Sequence, residues 1–171
     1  MSTEALTLYK LIVLYMLNKV NFPLTNAQIS EFVLGREYTT YFTLQEAVLD
    51  LEEANFIQIK TIRNTSYCHI THEGKETLGF FDNKISDSIK EDIDNYLSEN
   101  KYELRDEVSN LADFYKSTSG EFTVHCQVKE GKNTLIELNL SVPSEEQAEI
   151  MCQKWKNSSQ DIYSYIMKTL M

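Results

Sequence analysis

The stretch LEEANFIQIKTIRNTSYCHITHEGKETL, residues 51–78, decides the fold of the first half of this 171-residue chain. Two segments in it, 56–59 and 67–70, alternate apolar with polar side chains, which is the period of a β-strand with one buried face. Between them, the polar residues 63–66 have the composition of a turn. The stretch therefore predicts a β-hairpin.

Two helices are predicted at the start of the chain. Over residues 3–20 the apolar side chains recur at the spacing of one wide helical face. A second helix follows, with Thr25 or Asn26 as its N-cap and Gly35 at its end.

A third helix is predicted to precede the hairpin. Thr39 or Thr40 can cap its start. Leu44, Val48 and Leu51 recur at i, i+4 and i+7, so these side chains face inward. Three helices and a hairpin within residues 1–82 make one compact domain.

With these elements in place, residues 51–78 resemble the signature of bacterial winged-helix transcriptional regulators. In that signature the third helix ends in a left-handed residue, usually Gly, and Thr-x-x-Gly opens the helix after the hairpin. Asn55 stands at the first position, and Thr71 and Gly74 match the second. The whole chain also resembles an uncharacterised family of winged-helix proteins from Gram-positive bacteria, distantly similar to the PadR regulators.

The resemblance implies that the third helix enters the major groove of double-stranded DNA. Gln45 is expected to pair with adenine, and Phe42 or Thr43 to touch a thymine methyl. Hydroxyl groups at the helix start and cations near the hairpin tip are expected to contact the DNA backbone. The candidate DNA-binding residues are Thr39, Thr40, Tyr41, Phe42, Thr43, Gln45, Lys60, Arg63 and Asn64.

Net charge favours a different interpretation of the same fold. The chain holds 26 acidic and 16 basic side chains, a formal charge of −10, whereas DNA-binding domains usually carry a basic surface. Residues 39–55 contain four acidic side chains and no basic one. The alternative is a winged-helix protein–protein interaction module that does not bind DNA.

The second half is predicted to continue with a linking helix, residues 83–104, that carries an apolar stripe. The stripe either joins two copies into a homodimer or packs against the chain's own C-terminal domain. Its members are Ile85, Ile89, Ile93 and Leu97.

Residues 105–171 are predicted to form an α+β domain that dimerises or senses a small-molecule or protein effector. Segments 122–128 and 136–142 alternate as an antiparallel pair, and a capping box at Ser144 opens the helices that cover them. Residues 107–115 fit a third strand or a helix. The chain as a whole is thus predicted to be α+β: a winged helix, a linking helix and a small sheet covered by C-terminal helices.

Several classes of activity find no support in the residues. The chain has no glycine-rich phosphate loop, nucleophile elbow or HExxH helix, so we expect neither an enzyme nor a cofactor. Neighbouring Cys68 and His69, like His125 and Cys126, would point to opposite faces of a strand, which argues against a metal site. No apolar run is long enough to span a membrane, and three cysteines, an odd number without paired spacing, suit a reducing cytoplasm.

Overall fold

A computed structural model describes residues 2–171. The chain is α+β, and over these residues it forms six α-helices and two antiparallel sheets of three strands each. It divides into two compact units, one that ends at Arg105 and one that runs from Asp106 to Met171. The boundary falls inside the fifth helix, α5 (Asp87–Ser109).

The first unit contains the predicted three helices and hairpin, together with a short strand that was not predicted. Its elements are α1 (Thr3–Lys19), β1 (Leu24–Thr25), α2 (Asn26–Gly35), α3 (Tyr41–Glu53), β2 (Ile57–Ile62), β3 (Thr65–Ile70), α4 (His72–Phe81) and a 3-10 turn (Asp82–Lys84). The sheet order is β1-β3-β2. A strand of two residues is too short to show an alternating pattern, so β1 leaves no trace in the sequence.

Local hydrogen bonds fix where α2 and α3 begin. Thr25 is the N-cap of α2, and its side chain accepts from the Gln28 amide while the Gln28 side chain accepts from the Thr25 amide. Thr40 is the N-cap of α3, and its side chain accepts from the Thr43 amide. Both starts were predicted, and in each case the structure selects one of two candidate caps.

The core of the first unit is built around α1. Every residue from Leu11 to Leu17 is buried, with at most 7% of its surface exposed. A helix that is apolar all round must be covered on all sides. Its neighbours include α3, α4 and β3.

The second unit is a three-stranded sheet with one long helix. Its elements are β4 (Asn110–Lys116), β5 (Phe122–Glu130), β6 (Asn133–Val142) and α6 (Glu145–Leu170), with strand order β4-β5-β6. Segment 107–115, which fitted either a strand or a helix, is divided between them: α5 ends at Ser109 and β4 begins at Asn110.

One continuous helix, α6, replaces the several C-terminal helices expected from the sequence. The polar residues 157–159 do not interrupt it. Ser159 is buried, and its hydroxyl donates to the Asn110 side-chain oxygen at 2.9 Å. Because that hydroxyl has a partner on β4, it does not compete for the helix backbone.

A separate hydrophobic core joins α6 to the inner face of this sheet. Val124 and Cys126 from β5 pack with Ala148, Cys152 and Trp155 from α6. The indole Nε1 of Trp155 donates to the Gln127 carbonyl at 3.0 Å, so this large side chain is buried without an unsatisfied donor.

Candidate nucleic-acid interface

The outer face of α3 combines hydroxyl groups at its start with exposed apolar side chains. Leu44, Val48 and Leu51 are buried, as their spacing predicts. On the opposite side Phe42 is 84% exposed and Leu49 is 57% exposed. With the half-exposed Tyr41, these two side chains give the outer face of α3 an apolar character.

The start of α3 is a small cluster of hydroxyl groups. The Thr40 hydroxyl donates to Thr43 Oγ1 at 3.1 Å and accepts from the Thr43 amide at 3.4 Å. The half-exposed Tyr41 ring packs edge-on against Phe42, with the centroids 5.9 Å apart. Since the positive end of the helix dipole lies here, the predicted phosphate-contact residues Thr40 and Tyr41 stand where an anion is favoured.

Gln45, the predicted base-reading residue, already has a partner in the chain. Its Oε1 accepts from Asn26 Nδ2 at 2.8 Å, and its Nε2 donates to Asn26 Oδ1 at 3.3 Å. The pair joins the first turn of α2 to α3 and is partly buried. Gln45 must therefore leave Asn26, or bind DNA together with it, before it can contact an adenine.

The hairpin ends in a two-residue turn at Arg63 and Asn64. These residues have φ angles of 47° and 65°. Positive φ at both central positions is what a type I′ turn requires, and this turn matches the twist of the flanking strands. Thr65 pairs with Ile62, so the turn is shorter than the predicted four residues. Lys60, on β2, is exposed.

The end of α3 is tightly defined and sets the direction of β2. Asn55 has a φ of 61°, which confirms the left-handed residue expected there. The Asn55 amide donates to the Glu52 carbonyl and the Phe56 amide to the Leu51 carbonyl, both at 2.9 Å. These are the two hydrogen bonds of a Schellman motif.

The Thr-x-x-Gly sequence joins the start of α4 to the end of α3. Thr71 is the N-cap of α4 and accepts from the Gly74 amide at 3.0 Å, as expected. The Thr71 hydroxyl also lies 2.7 Å from the Asn55 carbonyl oxygen. The backbone amide of Thr71 donates to the Phe56 carbonyl at 3.0 Å. A Cβ atom at Gly74 would lie only 2.1 Å from that carbonyl oxygen, so glycine is required for this close approach.

The turn between α2 and α3 follows Gly35, which ends α2 as predicted. The left-handed residue of this turn is Glu37, with a φ of 57°. Sequence reasoning missed it because glutamate is an unfavourable residue in that conformation. Next to it, the Tyr38 hydroxyl donates to Asp92 of α5 at 2.7 Å, and Arg36 lies 3.9 Å from the same carboxylate.

The apolar stripe proposed for dimerisation is mostly buried inside the chain. Ile85, Ile93 and Leu97 are at most 5% exposed, and Ile89 is half-buried. The polar side of α5 is held by hydrogen bonds within the first unit, among them the Tyr15 hydroxyl donating to Asp94 at 3.0 Å. Ile85, Ile93 and Leu97 are therefore part of the chain's own core.

The cysteines and histidines do not converge on a metal site. No disulfide joins Cys68, Cys126 and Cys152 to one another, and all three are buried. Burial raises the pKa of the Cys68 thiol to about 12 and that of Cys126 to about 11. Within residues 2–171, no group of three or more potential ligands is close enough to hold a metal ion.

The outer face of the second sheet carries a polar cluster that sequence reasoning missed. His125 Nε2 lies 2.6 Å from Glu137 Oε1, and Gln127 lies 3.1 Å from the same ring nitrogen. The hydrogen bond from His125 lowers the pKa of Glu137. The two strands that carry these residues were predicted, but their register was not, and only the register brings the side chains together.

These features belong to an α+β chain with two separate hydrophobic cores. The chain is a member of the family described as Domain of unknown function (DUF4364), whose profile matches residues 9–170. Comparison with curated proteins and with solved structures gives no match. In the part of the chain that the structure describes, no helix is both long and apolar enough to cross a lipid bilayer.

Proposed function

We propose that this chain is a DNA-binding transcriptional regulator whose first unit works as a winged helix. The order α1-β1-α2-α3-β2-β3 supports this proposal, because it ends in a hairpin that directly follows the third helix. The observation that carries it is the junction around Asn55, Thr71 and Gly74. This junction holds α3 and the hairpin in one fixed arrangement, as a helix and a wing that grip DNA together require.

In this proposal the start of α3 enters the major groove. The hydroxyls of Thr39, Thr40, Tyr41 and Thr43 contact phosphate, helped by the positive end of the helix. The exposed ring of Phe42 is suited to a thymine methyl. Lys60, Arg63 and Asn64 at the wing contact the DNA backbone.

The Gln45–Asn26 pair limits how much sequence preference Gln45 can add. A bidentate contact to adenine contributes about 1–3 kcal/mol of discrimination. Releasing Gln45 from two amide hydrogen bonds costs about 0.5–1.5 kcal/mol for each bond. The two magnitudes are similar, so we expect Gln45 to contribute only modest discrimination.

The experiment is selection of bound fragments from genomic DNA by the purified full chain, repeated with two variants. Gln45→Ala should relax the preference at one operator position. Asn26→Ala is the matched control, since it removes the same amide pair but keeps the reading side chain, and it should retain the preference. Failure of the wild-type chain to enrich any sequence would contradict the proposal.

A second candidate function is protein binding by the same face of α3. It is favoured by the exposure of Phe42 and Leu49 with the acidic Glu46 between them on the helix surface. Residues 39–55 contain no lysine or arginine to neutralise this negative charge. The helix surface would therefore repel the phosphate groups of DNA. The partner would present apolar and basic side chains, and the substitution Phe42→Ser would abolish its binding.

A further inference from the structure

The outer edge of β6 has few of the features that keep an edge strand from pairing with another chain. β5 pairs with one side of β6, and among the described residues no strand pairs with the other side. Edge strands are usually blocked by lysine, proline or a bulge. Between Asn133 and Val142 there is no lysine or proline, and Glu137 is the one charged residue.

A single irregularity confines the open edge to seven residues. The register between β5 and β6 shifts after Val128, which pairs with Ile136, because Lys129 pairs with Thr134. Leu135 is thus the extra residue of a bulge, and bulges disrupt further pairing. From Ile136 to Val142 the strand is regular, so this segment alone is a suitable template for a new strand.

The regular segment is self-complementary about its middle residue, Asn139. In an antiparallel pair centred there, Ile136 faces Val142 and Leu138 faces Leu140, all on the face that carries the core. On the other face, Glu137 meets Ser141 and Asn139 meets Asn139. A pair centred on Glu137 would instead place two like charges directly opposite each other, which is destabilising.

An incompletely covered core residue points to the same edge. Leu140 lies in phase with the inward-facing side chains, yet it is 39% exposed. A neighbouring strand from a second copy would place another Leu138 against it. Burial of this apolar surface would stabilise the paired strands, in addition to the backbone hydrogen bonds that form between them.

We propose that two copies of the chain associate by antiparallel pairing of β6, through Ile136–Val142 and about a two-fold axis at Asn139. The two three-stranded sheets then form one sheet of six strands, with both α6 helices on the same face. The proposed function uses this interface to bring two DNA-reading units together. The interface itself can be tested without DNA.

The first test compares two lysine substitutions on one face of the strand. Asn139→Lys places two lysines opposite each other at the axis, whereas Ser141→Lys, the matched control, places a lysine opposite Glu137 of the second copy. Sedimentation of the full chain over a range of concentrations should show a wild-type dimer. We expect the dissociation constant to rise about tenfold or more in Asn139→Lys and to stay constant or fall in Ser141→Lys.

The second test fixes the register by oxidative cross-linking. Asn139→Cys should form a disulfide-linked dimer, because the two residues are adjacent across the axis. Glu137→Cys should not, since its equivalents stand four residues apart along the ladder. A monomeric wild-type chain, equal effects of the two lysines, or efficient cross-linking only through Glu137→Cys would each overturn the proposal.

Failure of this interface and failure of the proposed function give different results. A dimer with these properties that binds no DNA would support the proposed interface and contradict the proposed function as a regulator. The opposite result is a chain that binds operator DNA but is monomeric both with and without Asn139→Lys. It would support the proposed function and contradict the interface.

Discussion

Replacing Gly74 with alanine tests whether the junction between α3 and α4 holds the first unit together. The added methyl would lie 2.1 Å from the Phe56 carbonyl oxygen, which is backbone and accepts from both the amide and the hydroxyl of Thr71 at 3.0 Å. Overpacking of this kind costs about 1–3 kcal/mol, and each weakened hydrogen bond costs about 0.5–1.5 kcal/mol. Alanine regains about 0.5–1 kcal/mol of helix propensity. Together these magnitudes give a net loss of about 1–5 kcal/mol.

Gly79→Ala is the matched control, because Gly79 lies in the same helix. A Cβ there meets no atom within 4 Å among the described residues, so alanine should stabilise the chain by about 0.5–1 kcal/mol. Urea denaturation followed by circular dichroism measures both variants. Stability of Gly74→Ala equal to that of Gly79→Ala would refute the close approach and the role given to Thr-x-x-Gly.

Three further predictions concern backbone strain, buried thiols and pH. Glu37→Gly should raise the melting temperature by relieving a left-handed glutamate, with a gain of about 1 kcal/mol, whereas Glu37→Ala should not. Iodoacetamide should label none of the three cysteines in the folded protein at about pH 8, because all three are buried and the pKa of Cys68 is raised to about 12. In urea, mass spectrometry should find all three labelled. The lowered pKa of Glu137 stabilises the fold above the pKa of the unfolded chain, and this contribution disappears as the pH falls through the folded value. Glu137→Gln should therefore reduce stability at neutral pH, and the stability of this variant should fall less than that of the wild type as the pH is lowered. Urea denaturation midpoints measured across the acid range test this.

Local sequence signals predicted the elements well, because their causes lie within a few residues. The left-handed Asn55 and the N-cap at Thr71 follow from short-range backbone chemistry. The alternation in β5 and β6 likewise identified both strands. By contrast, whether the stripe on α5 joined two copies or packed within one chain could not be decided, since an apolar helical face has the same pattern in both cases.

The candidate site was predicted less completely, because its side chains are occupied by distant partners. Gln45 was predicted to contact a base, whereas its pairing with Asn26 depends on how α2 and α3 pack. The bond between Tyr38 and Asp92 joins residues 54 positions apart. No local pattern encodes such contacts, and only the tertiary structure reveals them.

The salt dependence of DNA binding by the wing variants tests the central claim most directly. Contacts to phosphate release counterions, so the logarithm of the binding constant should fall linearly with the logarithm of salt concentration, by about 0.9 for each phosphate neutralised. If Lys60 and Arg63 both contact the backbone, the double variant Lys60→Ala/Arg63→Ala should bind every duplex more weakly and its slope should be smaller by about two. Unchanged affinity and slope in the double variant would contradict the proposed wing contact, and a wild-type chain without measurable affinity for any duplex would contradict DNA binding itself.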